Sequence, residues 1–397
     1  MAKIALIWEL GADLGHVTRY SIIARELLTR GHEPVLILRD VTRIREVFDD
    51  DSIAYYQAPL CQYKPQGLPP SLNLVETLFL VGFLEPQKLL SLVKSWRYTF
   101  DFVKPEILVL DHAPVAQLAS HGLHYKKIIV TNSFSVPPLA TPFPPYRYWQ
   151  PEVGISARMK ETEERCTRHA NYVLENLQQS PLETMADLFR IEQIIFCERR
   201  EFDVYGPREG VTYVGSINDN SLGSLPTWPN HSGPKIFAYL KVIFPHIEAL
   251  LSILSSLDAQ VIAYVPGLSN EMRQKYQSNA FIISERPLQL RAVAEECDYA
   301  LCHGGTGTMN TFVESGVPVF ALPLFVEQMM LSIRVAEAGL GEVFPLQADV
   351  NSLAPMLLDF LDDKHLPSKV TTWAAKAESS SMTQRSALVC DTIEALL

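Results

Sequence analysis

Long uninterrupted apolar runs are missing from this chain, as are closely paired cysteines and any excess of basic residues. No stretch reaches the roughly 18 consecutive apolar residues that a membrane-crossing helix needs. The most apolar window, Leu72 to Leu90, is interrupted by Glu76 and Glu85 and reads as a buried or pocket-lining helix. The cysteines are Cys61, Cys166, Cys197, Cys297, Cys302 and Cys390, and no two have C-x-x-C spacing. That argues against zinc ribbons and thioredoxin-type redox chemistry. Reduced thiols in a cytosolic protein are the simplest account. The opening MAKIALIWEL enters a strand-like run at once and lacks the charged, apolar and cleavage regions of a secretory signal, so a cytoplasmic location is expected. The formal net charge of −11 provides no basic footprint for nucleic acid and disfavours anionic membrane surfaces. The one D-x-D-like run, Asp49-Asp50-Asp51, lies far in sequence from the glycine-rich turn near residue 303 and reads as a solvated turn. No divalent metal is expected.

What is present is an ordinary globular mixture, 47% hydrophobic and 20% charged over 397 residues. The length favours two or three domains. Apolar runs at Lys3 to Leu10 and Val35 to Leu38 flank a segment with apolar residues at Val17, Ile22, Ile23, Leu27 and Leu28. That spacing is helical, and Gly31 after Arg30 supplies a stop. Strand, helix and strand within so few residues make a βαβ unit and hence a parallel sheet. Further buried strands are expected at Glu106 to Asp111 and Lys127 to Asn132. Val136 to Pro151, rich in proline and aromatics, reads as a long functional loop forming a wall for an apolar ligand. Asn218 to Lys235 is dense in Asn, Ser, Gly and Pro and reads as a linker, after which a second α/β series begins. The expected architecture is α/β, with two doubly wound Rossmann-like domains. They are an N-terminal domain over residues 1–220 and a C-terminal domain over 221–380, with a last helix over 381–397 packing back on the first domain.

The segment YALCHGGTGTMNTFVESGVPVFALPLFVEQ, Tyr299 to Gln328, carries the chemistry. A strand passes through a glycine-rich turn into a helix start, where unpaired N–H groups and the peptide dipoles favour an anion. Gly304, Gly305 and Gly307 let backbone approach the anion closely. Thr306 and Thr308 add hydroxyl donors and His303 an imidazole donor. Pyrophosphate is the natural ligand. The bland reading is a tight turn with a capping threonine. It is neither a Walker A loop, since no lysine follows the last glycine, nor a dinucleotide G-x-G-x-x-G.

This segment resembles the donor-binding signature of family 1 glycosyltransferases, the UDP-glycosyltransferase-like and bacterial macrolide-glycosyltransferase-like proteins of the GT-B fold. The resemblance implies two domains facing across a cleft that closes around substrates. It also implies that His303, Gly304, Gly305, Thr306, Gly307 and Thr308 hold the diphosphate of a UDP- or dTDP-linked sugar. Glu327 and Gln328 would bond the sugar hydroxyls. Arg286, Pro287, Leu288, Gln289 and Thr311 would meet the base and ribose. Thr311 stands where many members carry a glutamate, and the acidic residue here is Glu314, one turn on. Lys241, in FAYLKVIFPH, serves the phosphates or is a surface lysine.

In the first domain Gly11 and Gly15 bracket a turn after the first strand, and His16 precedes the helix. Histidine has the side chain suited to removing a hydroxyl proton near neutral pH. A lone histidine there is more often a cap, but GHV followed by ARELLTRGHE is similar to the family's N-terminal motif, whose histidine is the catalytic base. Its carboxylate partner is then Asp111, with His112 or Asp13 as substitutes. The resemblance implies inverting transfer of a hexose-type sugar to a hydroxyl of a small acceptor, with the nucleotide sugar as co-substrate and no resident cofactor. The apolar segments Leu72 to Leu84 and Pro137 to Trp149 make the expected acceptor hydrophobic. The rival readings are a sugar-nucleotide epimerase of the same fold and a non-catalytic donor-binding protein.

Overall fold

The computed structural model describes residues 1–11, 15–42, 44–48, 52–150, 156–218, 223–376 and 380–397. The chain divides into two compact units. The first comprises Met1–Arg200, Pro207–Asn218 and Ser381–Leu397, and the second Glu201–Gly206 and Asp219–Ser380. The short piece Glu201–Gly206 therefore clusters with the second unit, although it precedes the linker in sequence.

The first unit holds a parallel sheet in the order β3-β2-β1-β4-β5-β6-β7. Its strands are β1 (Lys3–Trp8), β2 (Glu33–Leu38), β3 (Ala54–Gln57), β4 (Ile107–Asp111), β5 (Lys126–Thr131), β6 (Gln193–Phe196) and β7 (Thr212–Tyr213). The inner strands read as unbroken apolar runs because helices cover both faces of such a sheet. β1 is buried from Ile4 to Trp8, and β4 along its whole length. Edge strand β3 is exposed throughout, so its sequence AYYQ carries no burial signal.

The helices of this unit are α1 (Gly15–Thr29), α2 (Leu74–Leu78), α3 (Pro86–Val103), α4 (Pro114–Ala119) and α5 (Ala157–Asn176). Val17, Tyr20, Ile23, Ala24 and Leu27 form the buried face of α1. The apolar window Leu72 to Leu90 is not one helix. Gly82 takes a left-handed conformation (φ 114°), and α3 restarts at Pro86, whose missing N–H costs nothing at a helix start.

The second unit repeats the plan with the order β10-β9-β8-β11-β12-β13. These are β8 (Lys235–Tyr239), β9 (Gln260–Tyr264), β10 (Phe281–Ser284), β11 (Tyr299–Cys302), β12 (Val319–Ala321) and β13 (Gly341–Val343). Its helices are α6 (Ile247–Ser256), α7 (Asn270–Tyr276), α8 (Leu290–Ala294), α9 (Thr306–Glu314), α10 (Val326–Glu337), α11 (Leu353–Asp362) and α12 (Leu366–Lys376).

The final helix α13 (Met382–Glu394) returns to the first unit, where Val389, Cys390 and Ile393 join the core beside Tyr20, Ile23 and Leu27. Arg30 fixes it at the rim by bonds to Asp391 (2.6 Å) and Glu394 (2.7 Å). No helix of the described residues is long and apolar enough to cross a membrane.

Candidate active site

In open α/β sheets ligands gather beyond the carboxyl ends of the strands, where the strand order reverses. In the first sheet that point lies between β1 and β4, and in the second between β8 and β11. The two glycine-rich motifs of the sequence follow β1 and β11.

At the first point Trp8 and Asp111 end neighbouring strands in register. Asp111 is fully buried. The Nδ1–H of His16, at the start of α1, donates to Asp111 Oδ2 at 2.8 Å. A guanidinium N–H of Arg19 donates to the same oxygen at 3.0 Å, and the Thr131 hydroxyl to the other at 2.7 Å. Burial pushes the Asp111 carboxyl up, but His16 and Arg19 beside it and the bond from Thr131 outweigh it and hold it well below the usual range. An ionised Asp111 accepts only, so the proton on the near side of the imidazole sits on Nδ1 and Nε2 is the basic atom.

The His16 ring stacks on Trp8 with centroids 5.0 Å apart. Gly11 is required beside it. Its φ is 112°, and a Cβ there would lie 2.5 Å from His16 Nε2. Of the substitute partners, His112 has its ring pushed down to about 3, chiefly by burial. Asp13 lies outside the described residues, as does Asp49-Asp50-Asp51.

The sequence reading missed two residues here. Arg19 is buried, three residues after His16. Glu9 is buried and accepts the N–H groups of Val115 (2.8 Å) and Ala116 (3.0 Å) at the start of α4. Burial raises its carboxyl to about 8 despite those two bonds. The available signal was a charged residue set in or beside a run that is otherwise buried.

At the second point His303 follows β11 and is buried. Its Nε2 accepts the Lys241 backbone N–H at 2.7 Å, and its Nδ1–H donates to the Leu322 carbonyl at 2.6 Å. A backbone N–H can only donate and a carbonyl can only accept, so the tautomer is fixed and both ring nitrogens are in use. The expected imidazole donor to phosphate is therefore corrected: His303 ties the glycine turn to the loops after β8 and β12. Burial pushes its ring down to about 4, so it is uncharged at neutral pH.

Gly304 has φ 76°, and a Cβ there would lie 2.5 Å from Ser332 Oγ and 2.9 Å from the Gln328 carbonyl. The turn thus lies against α10 at Gly304, beside Gln328 and Ser332. Gly305 caps α9 without a side-chain bond, and residues 305–308 are half-buried. The first-turn N–H groups of α9 have no intrahelical acceptors, the arrangement an anion fits.

Gln328 accepts the Leu324 N–H at 2.8 Å through its Oε1, which leaves its amide N–H groups for a ligand. Glu327 sits in the first turn of the same helix. Thr311 is buried and donates its hydroxyl back to the Gly307 carbonyl at 2.8 Å. That proton is committed to the helix rather than presented to a ribose.

Arg286 and Pro287 are exposed between β10 and α8, whereas Leu288 is buried and turns inward. Gln289 donates from Nε2 to the Gly223 carbonyl at 3.2 Å. Pro287 and Gln289 clasp Ser224 through backbone bonds of 3.0 and 2.9 Å.

Within the aromatic loop two residues belong to the core, while Tyr148 and Trp149 are half-buried. Phe143 and Tyr146 are buried, and Tyr146 stacks on Phe134 with centroids 4.9 Å apart. Asn73 bonds the Phe143 carbonyl at 3.1 Å, which pins the loop to the start of α2. A groove of about 370 Å³ in the first unit is lined by Leu68, Pro69, Pro70, Phe79 and Leu80 together with Glu76 and Arg158, but not by His16 or Asp111.

No protein-family profile matches the chain. It is 22% identical over 403 residues to a zeaxanthin glucosyltransferase of Pseudescherichia vulneris, covering 95% of this chain and 94% of that protein. Over 108 residues it is 30% identical to NDP-glycosyltransferase YjiC of Bacillus subtilis (strain 168), 27% of each chain. Among solved structures it superposes on the calicheamicin glycosyltransferase CalG4 with a TM-score of 0.72 at 16% identity, covering 100% of this chain and 98% of that one. It superposes on the Streptomyces sp. SF2575 glycosyltransferase SsfS6, complexed with thymidine diphosphate, with a TM-score of 0.63 at 16% identity, covering 98% and 100%. The chain has the GT-B fold, and its relatives and structural neighbours are glycosyltransferases, which bears out the resemblance read in its motifs.

Proposed function

We propose that this glycosyltransferase-like chain moves a hexose-type sugar from a UDP- or dTDP-linked donor to a hydroxyl of a small, apolar acceptor, with inversion. The observation that carries the reading is the His16–Asp111 pair, set where the first sheet reverses its strand order, in a chain whose second sheet carries a glycine turn and helix start at its own reversal. A whole-length relative named for glucosyl transfer and a neighbour complexed with thymidine diphosphate support the donor class.

In this mechanism His16 Nε2 takes the acceptor proton as its oxygen attacks the anomeric carbon. The bond from that carbon to the diphosphate breaks on the opposite face. Asp111, 2.8 Å from Nδ1, stabilises the imidazolium that forms. The leaving diphosphate is met by the N–H groups and hydroxyls of Thr306–Thr308 and the α9 dipole, with no metal ion taking part. Glu327 and the Gln328 amide bind sugar hydroxyls. His303 holds the turn in shape.

The test is a screen of UDP-glucose and dTDP-linked sugars against zeaxanthin and other hydroxylated apolar compounds, with product analysis and an EDTA arm. The expected product is a β-linked glycoside, formed equally with EDTA, and His16→Ala lowers its rate by about 10²-fold or more. A free epimer as product, or a His16→Ala variant at full rate, overturns the proposal.

A further inference from the structure

The proposed base belongs to a buried charge cluster whose second cation the mechanism above leaves unused. Asp111 Oδ2 receives both His16 and Arg19, and Arg19 is itself only 6% exposed. His16 and Arg19 are three residues apart on α1, so both leave the same helix face. Burying a guanidinium is costly unless it is paired, so its place against this carboxylate is a specific electrostatic arrangement.

We infer that Arg19 is the permanent counter-charge of Asp111, a positioning residue that spares the His16 ring that role and leaves its Nε2 open to the acceptor proton. The inference rests on the reading of His16 as the base. A buried carboxylate calls for about one positive charge beside it. In a histidine–aspartate pair standing alone, the carboxylate favours the imidazolium, whose second nitrogen already bears a proton and accepts no other. Arg19 does not deprotonate in the working range. Arg19 therefore supplies the charge that Asp111 calls for, and this ion pair does not depend on a charge on the ring.

The other groups facing the cluster do not take over this role. Burial raises the Tyr20 hydroxyl well above its ordinary range, and it donates to the Ile7 and Val109 carbonyls at 3.0 Å each. Burial pushes the Cys197 thiol up to about 12 and the His112 ring down to about 3, so both are neutral. Glu198 is a second anion, which accepts the Ser133 N–H. Arg385 donates to the Ser216 carbonyl and Arg39 to the Glu9 carbonyl, so neither is directed at Asp111 in these bonds.

The experiment follows the ring C–H resonances of selectively ¹³C-labelled histidine across pH, with His16→Gln to assign the signal. It needs no ligand. Arg19→Met is expected to move the His16 titration midpoint up by about one pH unit or more, while Arg19→Lys keeps it within about half a unit of the unsubstituted protein. Asp111→Asn, which leaves Arg19 beside a neutral amide, is expected to move it down. It serves as the second reading if Arg19→Met does not fold. A midpoint that stays put or falls in folded Arg19→Met, or fails to fall in Asp111→Asn, overturns the inference. Failure of the base reading is visible separately, because His16→Ala then keeps its transfer rate whatever the ring titrations show.

Discussion

Replacing Asp111 by asparagine keeps the side-chain shape and removes one charge. Three donors converge on the native carboxylate: His16 Nδ1–H, Arg19 and Thr131. An amide accepts through one oxygen and presents N–H to whichever donors face its other end. The Arg19 guanidinium loses its counter-ion inside the fold, which costs about 3 kcal/mol of stability by the usual measure for a broken buried pair. The charge-assisted bond to His16 is worth about 2–3 kcal/mol when the imidazolium forms, so the transfer rate is expected to fall about 30- to 150-fold. Donor affinity is expected to stay unchanged, because residues 303–308 are untouched.

The pH dependence has a definite sign. The folded carboxyl lies below its unfolded value, so its stabilisation is complete above the unfolded value and is lost as pH falls through the folded one. The stability gap between the two proteins is therefore expected to be full at neutral pH and to narrow below about pH 4. Urea denaturation from pH 3 to 8 and initial rates with UDP-glucose measure both effects. An unchanged rate, or a stability gap that ignores pH, would refute the reasoning.

Glu163 is buried on α5 with one carboxyl oxygen unpartnered, and burial raises it to about 7 against weaker bonds from the Phe143 and Met185 N–H groups. Its folded value lies above the unfolded one, so its contribution is present in acid and lost as pH rises through about 7. Glu163→Gln is expected to be more stable than the native protein by about 1–3 kcal/mol at pH 8, with little difference at pH 4.5. Parallel thermal melts check this, and equal melts at pH 8 count against it. Gly304→Ala places a methyl 2.5 Å from Ser332 Oγ at a φ of 76°. The expected cost is about 1–3 kcal/mol of stability, with a loss of about tenfold or more in UDP or dTDP affinity by calorimetry. Unaltered melting and binding would show that the turn does not depend on its conformation there.

The sequence by itself determined the class of fold and the two glycine turns. Strands covered on both faces must be apolar along their length, as at Ile4 to Trp8 and Ile107 to Leu110, and a helix with one buried face must repeat near 3.6 residues, as in α1. Those requirements are local and can be read directly. Segments without such a one-sided environment were not legible: exposed β3 shows no pattern, and the window Leu72 to Leu90 hides a break at Gly82 because buried pieces on either side are equally apolar.

Only the tertiary structure decided which polar atoms meet. Arg19 looks like any helix arginine until β4 delivers Asp111 to it across 92 positions. His303 looks like a phosphate donor until the Lys241 N–H and the Leu322 carbonyl claim its two nitrogens. Hydrogen-bond capacity is set by residue type, but its use depends on which buried partners lie within about 3 Å, and those come from distant strands through the order of the sheet.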